Sequence, residues 1–105
     1  MRYKIITFNI HKARSAFMSN TLLEIKEAAR TSPVDFMLMQ EMVGSSHLEI
    51  LADSIWKDHC YGKNAAFKDS HHGNAILSRF PIAKWENEDL SLSKWEQRGL
   101  LHCEI

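Results

Sequence analysis

The sequence predicts an α+β fold, a mixed sheet with two flanking helices, on three observations. The first is the apolar run Asp35 to Met42, which follows Pro33 and is closed by Gly44-Ser45-Ser46. A short run bounded in this way reads as a strand buried on both faces. The second is the order strand, helix, strand over the opening residues, which demands a crossover and therefore parallel pairing. The third is a second helical pattern followed by four strand-like stretches with turn signals between them.

The elements follow in order. Tyr3 to Ile10 is rich in β-formers (Ile5, Ile6, Thr7, Phe8, Ile10) and reads as a strand. Thr21-Leu22-Leu23-Glu24 has capping-box spacing, which predicts a helix starting there. Leu22, Ile25, Ala28 and Ala29 form its apolar stripe, and Pro33 stops it. Ser46 to Glu49 is a second capping box, with Leu48, Leu51, Ala52 and Ile55 at helical spacing behind it. His59 to Phe67 reads as a strand in which Gly62 marks a bulge or a close approach. Lys68 to Gly73 reads as a polar turn, with His71 and His72 solvated in it, and Asn74 to Ser78 as a strand. Ile82 to Leu92 and Arg98 to Ile105 are read as the last two strands. The final one runs to the last residue with neither cap nor polar tail, and the later strands leave long unpaired edges, a liability that proteins usually cover. The 105 residues are thus expected to be a single incomplete domain.

Thirteen basic and thirteen acidic residues cancel, so no bulk positive field points to nucleic acid or an anionic membrane. A neutral domain can still handle phosphate through a bound metal. The opening Met1 to Asn9 is too short for a signal peptide or a spanning helix, which makes a cytoplasmic location the default expectation. Cys60 and Cys103 lie far apart and form no Cys-x-x-Cys, so both are expected to behave as small buried hydrophobes. His59, Cys60, His71 and His72 match none of the usual zinc spacings, and a zinc module is the weakest of the readings.

A site is suggested where Gln40 and Glu41 close the organising strand. Ligands of open α/β sheets sit at the carboxyl ends of parallel strands, and a carboxylate there suits a hard cation such as magnesium. Parallel pairing would bring Asn9 and His11 to the same edge. The alternative is that Glu41 simply begins a solvated loop.

Five stretches carry a family resemblance: Thr7 to His11, Asp35 to Glu41, Tyr61 to Ala65, His72 to Ile82, and Glu96 to Leu101. Their residues and order resemble the opening of the endonuclease/exonuclease/phosphatase superfamily, nearest to a bacterial cytosolic branch. The resemblance implies the N-terminal half of a DNase I-like four-layer α/β/β/α sandwich. It also implies a hydrolase of phosphate esters that depends on a divalent metal, Mg2+ or Mn2+. The substrate, a nucleic acid or a phospholipid headgroup, is left open. By the same resemblance Glu41 matches the metal-binding glutamate, and Asn9 the asparagine at the metal and scissile phosphate, the two catalytic positions present.

Other residues have competing readings. Arg98 offers a bidentate phosphate contact or an ion pair with Glu96 or Glu104, and Asn74 a phosphate contact or a bond to a backbone group. His11 and His72 fall near the site without an assigned role. Trp56, Trp85 and Trp95 are read as packing residues rather than base-stacking platforms. The stretch between Glu41 and Tyr61 is short for this branch. The family's later motifs, with the general base and most remaining metal contacts, are missing, so the chain alone is expected to be inactive. The competing reading is a non-catalytic half-domain that self-associates, or pairs with a complementary chain, through strand edges.

Overall fold

A computed structural model of the protein describes residues 2–9, 18–32, 34–43, 48–49, 51, 56–67, 70–91 and 99–105. Strand β1 (Ile5–Asn9) passes through helix α1 (Met18–Thr31) to strand β2 (Phe36–Val43), and the two strands pair in parallel. Strands β3 (Asp58–Phe67) and β4 (Ser70–Ser78) form a hairpin, and β4 lies antiparallel to β2. Strands β5 (Lys84–Asp89) and β6 (Gly99–Glu104) make a separate antiparallel pair. The larger sheet has the order β1-β2-β4-β3.

The core fills the space between the larger sheet and α1. Leu22 and Ala29 of the helix are buried with Met37, Met39 and Met42 of β2 and Ala75 and Leu77 of β4. Leu51 and Trp56 join this cluster, and Ile25 and Leu48 pack against its margin. Residues 48, 49 and 51 are helical, which agrees with the second predicted helix; the rest of that stretch lies outside the described residues.

On the opposite face the β5–β6 pair packs on β3 and β4, and here polar side chains make the joints. The Asn87 amide donates to the Lys63 carbonyl at 3.1 Å, and the Asn74 amide to the Gly99 carbonyl at 3.4 Å. A Cβ on Gly62 would overlap the Asn87 side chain, so the close approach expected at Gly62 is present. The register shift in β3 falls between Lys63 and Ala65 instead. Cys60 and Cys103 meet across the two sheets, free and thiol to thiol. Cys60 is buried, as expected, whereas Cys103 is only half-buried.

Several expectations are corrected. The organising strand is not buried on both faces: Met37, Met39 and Met42 are fully buried, while Leu38, Gln40 and Glu41 between them are half-buried. Thr21 does not begin a helix, because α1 starts at Met18 and encloses it. Residues three apart share a helix face, so capping-box spacing also arises inside a helix. Ala28 is exposed, which leaves Leu22, Ile25 and Ala29 as the apolar stripe. His71 and His72 are not solvated turn residues, since β4 already begins at Ser70 and pairing with β3 continues to Phe67. His72 is buried, and the His71 Nδ1 lies 2.9 Å from the Tyr61 hydroxyl. Strand β5 is shorter than the predicted Ile82–Leu92 span. Trp56 packs in the core at 8% exposure, and Trp85, 48% exposed, is half covered on the hairpin face that also carries Asn87 and Cys103, the residue Trp85 pairs with. Trp95 lies outside the described residues.

Candidate active site

The candidate site is built from three neighbouring strands, β1, β2 and β4. Parallel register sets Thr7 beside Leu38 and Asn9 beside Gln40. Paired residues of neighbouring strands point to one face, so Thr7, Asn9, Leu38 and Gln40 line the side away from α1. Glu41 is the next residue along β2.

Alternation alone would then turn Glu41 toward the Met37 and Met39 side, into the core. The chain avoids this with a bulge. Met39 pairs with Ala75 and Met42 with Gly73, so Gln40 and Glu41 together oppose the single residue Asn74. The extra residue hands the core-facing phase to Met42 and leaves Glu41 half-buried. Glu41 takes a φ of 55°, and among the described residues it is the one non-glycine residue with positive φ. For a residue with a Cβ that conformation costs about 1–2 kcal/mol. Such strain persists only where surrounding contacts over-determine it, and it gathers at functional positions.

Two bonds fix the first residue of the bulge. The Gln40 amide nitrogen donates to the Thr7 hydroxyl at 2.9 Å and to the Leu38 carbonyl at 3.2 Å. Leu38, Gln40 and Asn74, with Ile76, Gly99 and Leu101, line a groove of about 160 Å³ between β2, β4 and the start of β6. Three predicted site residues, Asn9, Glu41 and Asn74, are thus set by register on adjacent strands at one level of the sheet. Asn74 sits within β4 rather than at its start, and its amide meets the Gly99 backbone as the plainer reading expected. His72 pairs with Val43 and Ala65, one step beyond Met42. His11 and Arg98 lie outside the described residues.

Of the four residues weighed for zinc, three face different surroundings. His59 is exposed, while the Cys60 thiol turns to Cys103 and His71 to Tyr61. One group among the described residues does have ligand-like spacing: Glu86, Glu88 and His102, whose ligand atoms lie within 4.8 Å of one another. All three are exposed, and His102 sits 3.6 Å and 3.7 Å from the two carboxylates. Cross-strand side-chain pairing on a solvated hairpin accounts for them.

Sequence reasoning missed the bulge and the part played by Gln40. The signal was present in the spacing of Met37, Met39 and Met42, a period of two followed by a step of three.

The comparisons with known proteins agree with this architecture. The Endonuclease/Exonuclease/phosphatase family model matches residues 6–104, and the chain belongs to that family. It is 42% identical over 118 residues to the uncharacterized protein YbhP of Escherichia coli K12, and equally to that of Shigella flexneri. The match covers 98% of this chain and 47% of either relative, so the chain spans about half their length. An endonuclease/exonuclease/phosphatase family protein from Leptotrichia buccalis superposes with a TM-score of 0.78 at 15% identity. That superposition covers 97% of this chain and 49% of the other. A second, from Beutenbergia cavernae, gives 0.71 at 18% identity over 94% of this chain and 33% of its own. The mixed sheet with its helix is therefore part of a larger fold of this type. No described helix is long and apolar enough to cross a membrane.

Proposed function

We propose that residues 1–105 form the N-terminal half of a single phosphate-ester hydrolase domain, and that Asn9 and Glu41 contribute to its divalent-metal site. The observation that carries this reading is Glu41 itself. A carboxylate held at positive φ by a bulge, one residue past the position that pairs with an asparagine on a parallel neighbour, is what a metal-anchored phosphate site needs. The donors fit the ion: a carboxylate and an amide oxygen are hard ligands suited to Mg2+ or Mn2+, with water completing the octahedron. When bound, such an ion neutralises the charge that develops on the transferring phosphoryl group. The Asn9 amide donates to a phosphate oxygen without adding a charge that would itself need a partner. Asn74 and Arg98 are the further candidates for holding phosphate. A cytoplasmic location, and a nucleic acid or phospholipid headgroup as substrate, belong to the same proposal.

On this reading the general base comes from outside these residues, so the chain alone is expected to turn over little or nothing. The test joins these residues to the C-terminal half of the E. coli relative and measures Mg2+-dependent hydrolysis of bis(p-nitrophenyl) phosphate. The chimera is expected to be active and its Glu41→Ala variant to lose at least about a hundredfold, the scale of an electrostatic contact at the reacting group. A folded, active chimera indifferent to Glu41→Ala would refute the assignment.

A second reading is association. Strand β1 has one neighbour among the described strands and carries Ile5 at 58% exposure, which favours strand addition by another chain. Sedimentation at several concentrations decides: a monomer throughout removes it.

A further inference from the structure

We infer that Thr7 and Gln40 are positioning residues for Glu41, and that the hydrogen bond between them sets the metal affinity of the site. This rests on the reading of Glu41 as a metal ligand and extends it to two residues that do not themselves hold the ion.

Strand β2 has two ways to run past Asn74. With one residue opposite Asn74, alternation would carry Met37, Met39 and residue 41 to the helix side, burying a carboxylate among methionines. With two residues opposite it, Met42 takes that place and Glu41 stays at the edge, at a φ of 55°. The second arrangement carries backbone strain at a residue with a Cβ, so something must hold it. Burial of Met42 is one part, but burial does not say which of the two extra residues points where.

Gln40 supplies that information. Both amide hydrogens are engaged, one by the Thr7 hydroxyl at 2.9 Å and one by the Leu38 carbonyl at 3.2 Å. The side chain is folded back along the face that Thr7 and Asn9 share, and it bridges β1 to β2 just before Glu41. With Gln40 pinned on that face, the residue after it has a fixed starting direction. Thr7 is exposed, so its hydroxyl is not needed to fill the core. Its acceptor role can be removed with little change in shape.

The test is a Mn2+ titration followed by water-proton relaxation, on the chimera with the C-terminal half of the E. coli relative, with urea unfolding measured in parallel. Thr7→Val keeps the volume and loses the acceptor, Thr7→Ser keeps the acceptor, and Gln40→Ala removes the donor. Thr7→Val and Gln40→Ala are expected to weaken Mn2+ binding by about tenfold, the lower end for partners that orient a metal ligand. Thr7→Ser should stay within about twofold of the parent, and in a Glu41→Ala background Thr7→Val should change nothing further. Parent-like binding by Thr7→Val and Gln40→Ala, with Glu41→Ala weakened, would overturn this inference and leave Glu41 as a ligand. A loss that Thr7→Ser shares would overturn it too. Unchanged binding by Glu41→Ala would instead overturn the reading of the site on which it rests.

Discussion

The two faces of the larger sheet are held by different forces. On the helix side, Met37, Met39, Met42 and Leu77 are at 0% exposure and interlock with Leu22 and Ala29. On the side facing β5 and β6 the joints are amide bonds from Asn74 and Asn87 and the contact of the Cys60 and Cys103 thiols, and the hairpin itself leaves Trp85 and Leu100 about half exposed. Apolar burial is worth roughly 25 cal/mol per Å², while a net hydrogen bond contributes about 1 kcal/mol. The helix side should therefore carry most of the stability, and the hairpin side mainly the alignment of the groove. The difference teaches that the groove face is kept in register by direction rather than by mass.

The hardest test of that contrast is Gly73. A Cβ there would overlap the Gly62 carbonyl, a backbone atom with no rotamer to retreat into. Gly73→Ala is expected to cost more than about 4 kcal/mol and to abolish cooperative urea unfolding. A near-neutral result would mean that β3 and β4 can separate freely. Next, Leu77→Ala should lower stability by about 2–5 kcal/mol, as large-to-small changes in packed cores do. Leu100→Ala on the hairpin should stay within about 0.5 kcal/mol. Equal losses at the two sites would break the comparison.

Glu41→Gly sharpens it from the functional side. Glycine takes positive φ without the Cβ penalty, so stability should rise by a fraction of a kcal/mol while Mn2+ binding falls. A loss of stability instead would show that Glu41 is structural. The smallest effect concerns pH. Burial and the neighbouring Cys103 thiol push the Cys60 thiol from its ordinary 9.0 up to about 12. Between those values the unfolded chain has lost this proton and the folded chain keeps it. The contribution is complete below pH 9.0 and drains away as the pH rises toward 12. Cys60→Ala should flatten the alkaline limb of a stability profile, and iodoacetamide at pH 8 should label Cys60 only after unfolding. Rapid labelling of the folded chain would show that the seam between the sheets is open.

Much of this was legible in the residues. Strand–helix–strand order fixed the parallel β1–β2 pair, and with it the meeting of Asn9 with the end of β2. Pro33, and the apolar content of Phe36 to Met42, fixed the organising strand. What escaped was phase and partner. The apolar count of β2 suggested two buried faces, yet half of those residues look toward a groove that the hairpin only partly covers. His71 and His72 read as a turn because polarity is a local property, and burial by a neighbouring strand is not. Trp85 reads as packing, and its pairing with Cys103 sets it on the hairpin face turned to β3, where it is only half covered. The Gln40–Thr7 bond joins residues 33 positions apart, and no local pattern announces it.

The position of β1 has a further consequence. It is the rim strand of its sheet among the described strands, mostly exposed, and it carries both Asn9 and Thr7, while Glu41 rides on the better-anchored β2. Of β1 only Ile6 packs against the methionine core, so opening of this strand is expected to cost less than global unfolding. If Asn9 and Glu41 hold a metal as proposed, its two ligands ride on strands of unequal anchorage, and a bound cation would act as the rivet that keeps the rim closed.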